Sequence, residues 1–236
     1  MKLSIIVCVY NEIKTIKEIL KKIDNTVLPK PYSKEIIIID NDSNDGTKEF
    51  LKENKFNENY KIIFQNKNFG KGNSVIKGIN EASGDLIVFQ DADLEYEPDN
   101  YSNLITHLIT YKLDAVFGSR IKNNEDHFYY KINRYAVICL TKLINFLFNG
   151  NFTDVATNHK LIKTDVLKKL NLTFKGFNSD FEIASKLLKY KFKCDEIPIK
   201  YFPRKYEEGK KINKIDAIKS LLVIIYIFFK SDNRKN

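Results

Sequence analysis

Four isoleucines in succession, Ile36 to Ile39, stand between Glu35 and Asp40. A short, unbroken β-branched run has no wet face, so it reads as a strand buried on both sides. Strands of that kind belong to parallel sheets covered by helices, and the neighbouring segments fit this. Leu3–Tyr10 is a second apolar strand, and Ile13–Ile23 has apolar residues at helical spacing. Thr47–Glu53 reads as a short helix, Tyr60–Gln65 as a strand, Gly72–Ala82 as a helix and Asp85–Gln90 as a strand. A helix opened by Pro98 and ending near Tyr111 leads to a strand over Asp114–Gly118. Strands separated by helices imply an α/β fold, a mainly parallel sheet with helices on both faces.

The second half is less regular. Tyr129–Phe148 reads as a long apolar helix, Lys160–Ile162 as a strand, Asp180–Tyr190 as a helix and Lys193–Ile199 as a strand. Ile212–Lys230 is an apolar helix with basic flanks, which suits either an interfacial helix at a bilayer surface or a helix packed on protein. The expected organisation is one domain over residues 1–211 and a C-terminal helix over 212–236.

Composition narrows the function classes. Hydrophobic residues make up 43% and charged residues 29% of 236, enough for a packed core and too apolar for disorder. Three scattered cysteines exclude a disulfide scaffold and suit a reducing compartment, and three histidines lack ligand spacing. The net charge is +9, but only four of the 39 basic residues are arginines, so lysine drift on a solvated surface explains most of it. No nucleic-acid partner is expected, while attraction to an anionic membrane surface is. The apolar N-terminal run reads as a buried strand rather than a signal peptide, and no segment reaches the ~20 apolar residues of a spanning helix.

In parallel α/β sheets ligands bind at the carboxyl ends of strands, and the polar clusters of this chain fall there. Asp91-Ala92-Asp93 follows an apolar strand. Two carboxylates so spaced can share a hard cation such as Mg²⁺ or Mn²⁺, which then clamps a diphosphate, with Glu95 a possible third ligand. Capping aspartates in a turn are the plainer alternative. Asp40–Thr47 is a tight acceptor-rich turn, able to receive a base N–H or a ribose hydroxyl, or simply to cap the next helix. Asn68–Asn73 brings Gly70, Lys71 and Gly72 to a helix N-terminus, where backbone and charge favour anions.

Together with Tyr10-Asn11-Glu12 and Gly118-Ser119-Arg120, these motifs occur in an order and spacing that resembles the family 2 glycosyltransferases of GT-A fold. More specifically, the chain resembles the dolichyl-phosphate mannose synthase-like branch, which includes bacterial polyprenyl-phosphate glycosyltransferases. The resemblance continues through Asp154–Lys163, Phe177–Glu182, Glu196-Ile197-Pro198 and Arg204–Lys211. It implies a GT-A (Rossmann-like) sheet that binds a nucleotide sugar through Cys8, Tyr10, Glu12, Ile38, Asp40, Lys71, Asp91, Ala92, Asp93, Arg120, Arg204 and Lys210. It implies Mg²⁺ or Mn²⁺ on Asp91, Asp93 and Glu95, with Asp93, Arg120 and Arg134 as the catalytic set, the two arginines bridging donor and acceptor phosphates. The implied reaction is inverting transfer of a sugar from GDP-mannose or a UDP-hexose to a polyprenyl phosphate, dolichyl or undecaprenyl. The implied place is the cytoplasmic face of the membrane, as a peripheral protein, with a homo-oligomeric or membrane-protein partner also open. The chain departs from the family's pattern at Cys8, Asn41, Asp42, Ile138 and Asp154–Lys160. A saccharide acceptor would require a further catalytic carboxylate, for which only Glu182 and the preceding Asp180 offer themselves. A non-catalytic nucleotide-sugar-binding protein would not need Asp91, Asp93 and Arg120 together. A nucleotidyltransferase would require a glycine- and arginine-rich N-terminus that Val7-Cys8-Val9-Tyr10 lacks.

Overall fold

The structure is a computed structural model; it describes residues 1–122, 130–204 and 214–231. Its elements, in chain order, begin with β1 (Lys2–Val9), α1 (Ile16–Asn25), β2 (Ser33–Asp40), α2 (Thr47–Glu53) and β3 (Tyr60–Phe64). Then come α3 (Lys71–Glu81), β4 (Leu86–Asp91), α4 (Asn100–Thr110), β5 (Ala115–Ser119) and α5 (Lys131–Phe148). The rest are β6 (Lys160–Lys163), α6 (Thr164–Lys169), α7 (Ser179–Lys189), β7 (Cys194–Pro198) and α8 (Lys214–Phe229).

The described strands form one seven-stranded sheet in the order β3-β2-β1-β4-β6-β5-β7. The isoleucine run lies in β2, where Ile36 to Ile39 are fully buried between parallel β1 and β3. Helices cover both faces as expected. Ile16, Ile19, Leu20 and Ile23 of α1 join Tyr101, Leu104, Ile105 and Leu108 of α4 on one side. On the other, α3, α5, α6 and α7 share a core that includes Val75, Ile144, Leu167 and Ala184. The mainly parallel reading holds with one qualification: β6 runs antiparallel between β4 and β5. It is only four residues long, and sequence periodicity carries no direction for so short a strand.

Helix α1 starts at Ile16 rather than Ile13 because loop contacts consume the preceding backbone. Asn11 takes a positive φ of 55°, and the amides of Asn11, Glu12 and Ile13 donate to Ser43 Oγ, Thr47 Oγ1 and Asp45 Oδ2. The acceptor-rich turn after β2 thus pins the end of β1. The short helix α6 carries no periodicity long enough to read from sequence. Helix α8 buries Ser220, Val223, Ile224 and Ile227 against the body while Ile218, Leu222 and Phe229 stay exposed. No helix among the described residues is long and apolar enough to cross a membrane.

Candidate active site

A cavity of about 550 Å³ opens at the carboxyl ends of the central strands. One part of its wall is charged, with Glu12, Lys71, Asp91, Asp93, Glu95, Arg120, Asp180 and Arg204. Another is apolar, formed by Ile132, Ala136, Val137 and Leu140 of α5 with Phe177 and Phe181. Helix α8 contributes Asp216, Ala217 and Ser220.

Most of the residues expected from sequence meet in this cavity. Cys8 and Asp91 are paired across β1 and β4 by strand register, which sets the ends of the two strands side by side. Burial pushes the Cys8 thiol up to about 12, so it is protonated and acts as a small apolar wall. Tyr10, Glu12 and Ala92 also line the cavity. Lys71 opens α3 and reaches Asp91 at 2.8 Å. Burial opposes the Lys71 charge, but Asp91 and Asp180 outweigh it and raise the pKa, so the ammonium persists. A glycine on each side allows this placement. Gly70 has φ +88°, and a Cβ there would sit 2.6 Å from Lys175 O; one on Gly72 would sit 2.9 Å from Gly176 O. The loop before α7 therefore lies directly on the start of α3.

Arg204 draws several acidic groups together. Its guanidinium donates to Asp93 Oδ2 at 2.7 Å and to Glu12 Oε2 at 3.2 Å, and its backbone N–H donates to Glu95 Oε1 at 2.8 Å. Glu95 also accepts from the Tyr201 hydroxyl at 2.7 Å. Burial, then the charges of Asp91 and Glu95, push Asp93 up to about 7 although Arg204 opposes them.

Arg120 is held differently. Its Nε and Nη2 make a two-pronged pair with Asp154 at 2.6 and 2.8 Å, and its backbone N–H donates to the same carboxylate. Asp154 is anchored in turn, because Glu196 accepts from the backbone N–H groups of Thr153 and Asp154. Asp154 outweighs the burial of Arg120 and raises its pKa. Arg120 lines the cavity, yet its fork is already engaged.

Other expected residues lie elsewhere. Ile38 is buried in the core beneath α1 and does not line the cavity. Asp40 is fully buried and accepts from Ser43 N; it is the next residue, Asn41, that reaches the cavity. Arg134 sits half-buried on α5, while its neighbour Asn133 lines the cavity. Lys210 lies outside the described residues.

Sequence reading assigned no site role to two groups, Asn41 and Lys160. Asn41 Oδ1 accepts from Gln65 Nε2 and Phe69 N, and its amide donates to Asn68 Oδ1, tying β2 to the approach to α3. Lys160, fully buried, donates to Asp180 at 2.5 Å. Only the register of antiparallel β6 brings that lysine under the cavity, so no local signal marks it.

Among the described residues, no three His, Cys, Asp or Glu side chains converge into a metal cage. Mg²⁺ and Mn²⁺ do not require one where a ligand's phosphates complete the shell, since one or two carboxylates then suffice. Asp91 and Asp93 fit that demand: both line the cavity, two residues apart where β4 ends.

A doubly wound α/β protein with its ligand crevice at the strand carboxyl ends is the class that these features define. Residues 4–170 match the model of glycosyl transferase family 2, and the chain belongs to that family. It is 32% identical over 220 residues to a dolichol-phosphate mannosyltransferase of Pyrococcus furiosus, covering 89% of this chain and 59% of that protein. It is 24% identical to a dodecaprenyl-phosphate galacturonate synthase of Rhizobium johnstonii, covering 73% of this chain and 51% of the relative. The chain thus spans little more than half the length of these curated relatives. Among solved structures, it resembles glucosyl-3-phosphoglycerate synthase from Mycobacterium tuberculosis in complex with Mn²⁺, UDP and phosphoglyceric acid. That likeness has a TM-score of 0.70 at 16% identity and covers 98% of this chain and 80% of the other. It supports the GT-A fold.

Proposed function

We propose that the protein transfers a sugar from GDP-mannose or a UDP-hexose to a polyprenyl phosphate, with inversion and with Mg²⁺ or Mn²⁺. One observation carries this reading: a single cavity has a wall of paired carboxylates and cations and a wall of α5 and α7 side chains that are apolar. The first suits a nucleoside diphosphate, the second the first isoprene units of a lipid. Relatives named for dolichol and dodecaprenyl phosphates support the acceptor class.

On this reading Tyr10, Glu12 and Asn41 border the nucleoside, and Lys71 and Arg204 meet the diphosphate. Asp91 and Asp93 would hold the metal, which when bound neutralises charge on the departing diphosphate. Arg120, fixed by Asp154, would border the diphosphate without changing partner. The acceptor phosphate is already ionised at neutral pH, so alignment and charge neutralisation suffice and no strong general base is required. A saccharide hydroxyl would need such a base. Asp180, a carboxylate of the cavity wall, is tied to Lys160 at 2.5 Å, which favours the phosphate acceptor. Residues 1–211 form the transferase domain in this scheme, and 212–236 form the part that meets the cytoplasmic face of the membrane.

The test is nucleoside diphosphate release from a panel of UDP- and GDP-sugars, with and without a short polyprenyl phosphate and with and without chelator. Release that requires both lipid phosphate and divalent metal is expected. Lipid-independent release that a saccharide stimulates would overturn the acceptor assignment.

A further inference from the structure

Arg204 meets carboxylates contributed by separate stretches of chain. Its Nη2 is 2.7 Å from Asp93, its Nη1 is 3.2 Å from Glu12, and its Nε is 3.9 Å from Glu95. The backbone beneath it is anchored by its own hydrogen bonds. Phe202 N donates to Glu95 O, Tyr96 and Tyr201 form a β-bridge, and Arg204 N donates to Glu95. The guanidinium can therefore change partners while the segment that carries it stays in place.

We propose that Arg204 is the resident cation of this cluster. It holds Asp93 closed to divalent metal in the free protein, and the donor's diphosphate draws it off. This rests on the reading of the cavity as a nucleotide-sugar site. A divalent ion on Asp93 would stand beside the guanidinium's positive charge and compete with it for the same carboxylate, so metal binding there is opposed until the guanidinium moves. A diphosphate offers the departing fork an equivalent two-pronged acceptor, so the arginine exchanges one anion for another rather than losing a partner. Lys71 makes the matching contact with Asp91 at 2.8 Å, but as a point charge on the first turn of α3 it gains no fork geometry by moving. The consequence is coupling: nucleotide strengthens metal binding and metal strengthens nucleotide binding by the same factor. A protein so built keeps its carboxylates from capturing metal when no donor is present.

The experiment is titration of the full chain with Mn²⁺, counting free Mn²⁺ by its electron paramagnetic resonance signal, with and without UDP or GDP. Wild type is expected to bind Mn²⁺ weakly alone and more tightly with nucleotide. Arg204→Gln removes the competing charge, and nucleotide-free Mn²⁺ affinity should rise at least about tenfold while the gain from nucleotide shrinks. Arg204→Lys, which keeps the charge but not the fork, should tighten it by only about threefold and serves where the glutamine variant folds poorly. Nucleotide-free affinities equal to wild type in both variants would overturn the inference, while nucleotide-stimulated binding in wild type would leave the proposed function standing. Absence of Mn²⁺ binding with either nucleotide in wild type and variants would overturn both.

Discussion

Arg120 and Asp154 illustrate what burial does to a charged pair. The ion pair is sealed, with side-chain exposures of 8% and 0%. Removing one partner leaves an uncompensated interior charge, which costs about 3–5 kcal/mol. Arg120→Gln and Asp154→Asn should each lower the thermal midpoint sharply, and the double variant should recover part of the loss. Additive losses in a double-mutant cycle would deny the coupling. His159 gives a second test at the same scale. It is fully buried, its Nε2 lies 3.0 Å from Gln90 Oε1, and burial lowers its pKa from 6.5 to about 3. Between those values the unfolded chain binds the proton and the folded one does not. Stability from this residue is therefore complete above about pH 6.5 and falls toward pH 3, on the order of 1 kcal/mol per pH unit. In His159→Gln, which is neutral throughout, the thermal midpoint should lose that part of its decline between pH 6.5 and 4.5.

Two glycines of α3 separate packing from the site. A Cβ on Gly78 would sit 2.5 Å from the Ile6 side chain on the sheet, whereas one on Gly72 would meet the backbone of Lys175 and Gly176. Gly78→Ala should cost about 1–3 kcal/mol by overpacking and leave nucleotide affinity unchanged. Gly72→Ala should push the loop before α7 off the start of α3, displace Lys71 and weaken nucleotide binding. Calorimetry of both variants with UDP and GDP, beside thermal melts, checks the contrast. Element identity was largely legible in the sequence because hydrophobic periodicity is a local property, as Ile16, Ile19, Leu20 and Ile23 show in α1. The start of α1 was not, because Ser43, Asp45 and Thr47 decide it from across the β2 turn.

At the scale of the molecule, α8 has two faces. Val223, Ile224 and Ile227 are packed against the body, while Ile218, Leu222 and Phe229 are 61%, 61% and 77% exposed. Lys219 and Lys230 lie on or beside the same helix, so the exposed face is apolar with basic flanks, the pattern of an interfacial helix. The double variant Leu222→Glu, Phe229→Glu is expected to bind anionic phosphatidylglycerol vesicles at least about tenfold more weakly than wild type, with little change in thermal midpoint. Equal vesicle binding would exclude this face as the contact.

The sequence by itself determined the alternation of strand and helix, the mainly parallel sheet and the placing of acidic and glycine-rich clusters at strand ends. Each is written in periodicity or spacing within a few residues. Only the tertiary structure decided which charges meet. Arg204 reaches Glu12 across 192 positions, Lys160 finds Asp180 through an antiparallel strand, and α5 and α8 close the cavity from elements without any motif in common. Those pairings depend on strand order, register and side-chain reach, and no local stretch of chain encodes them.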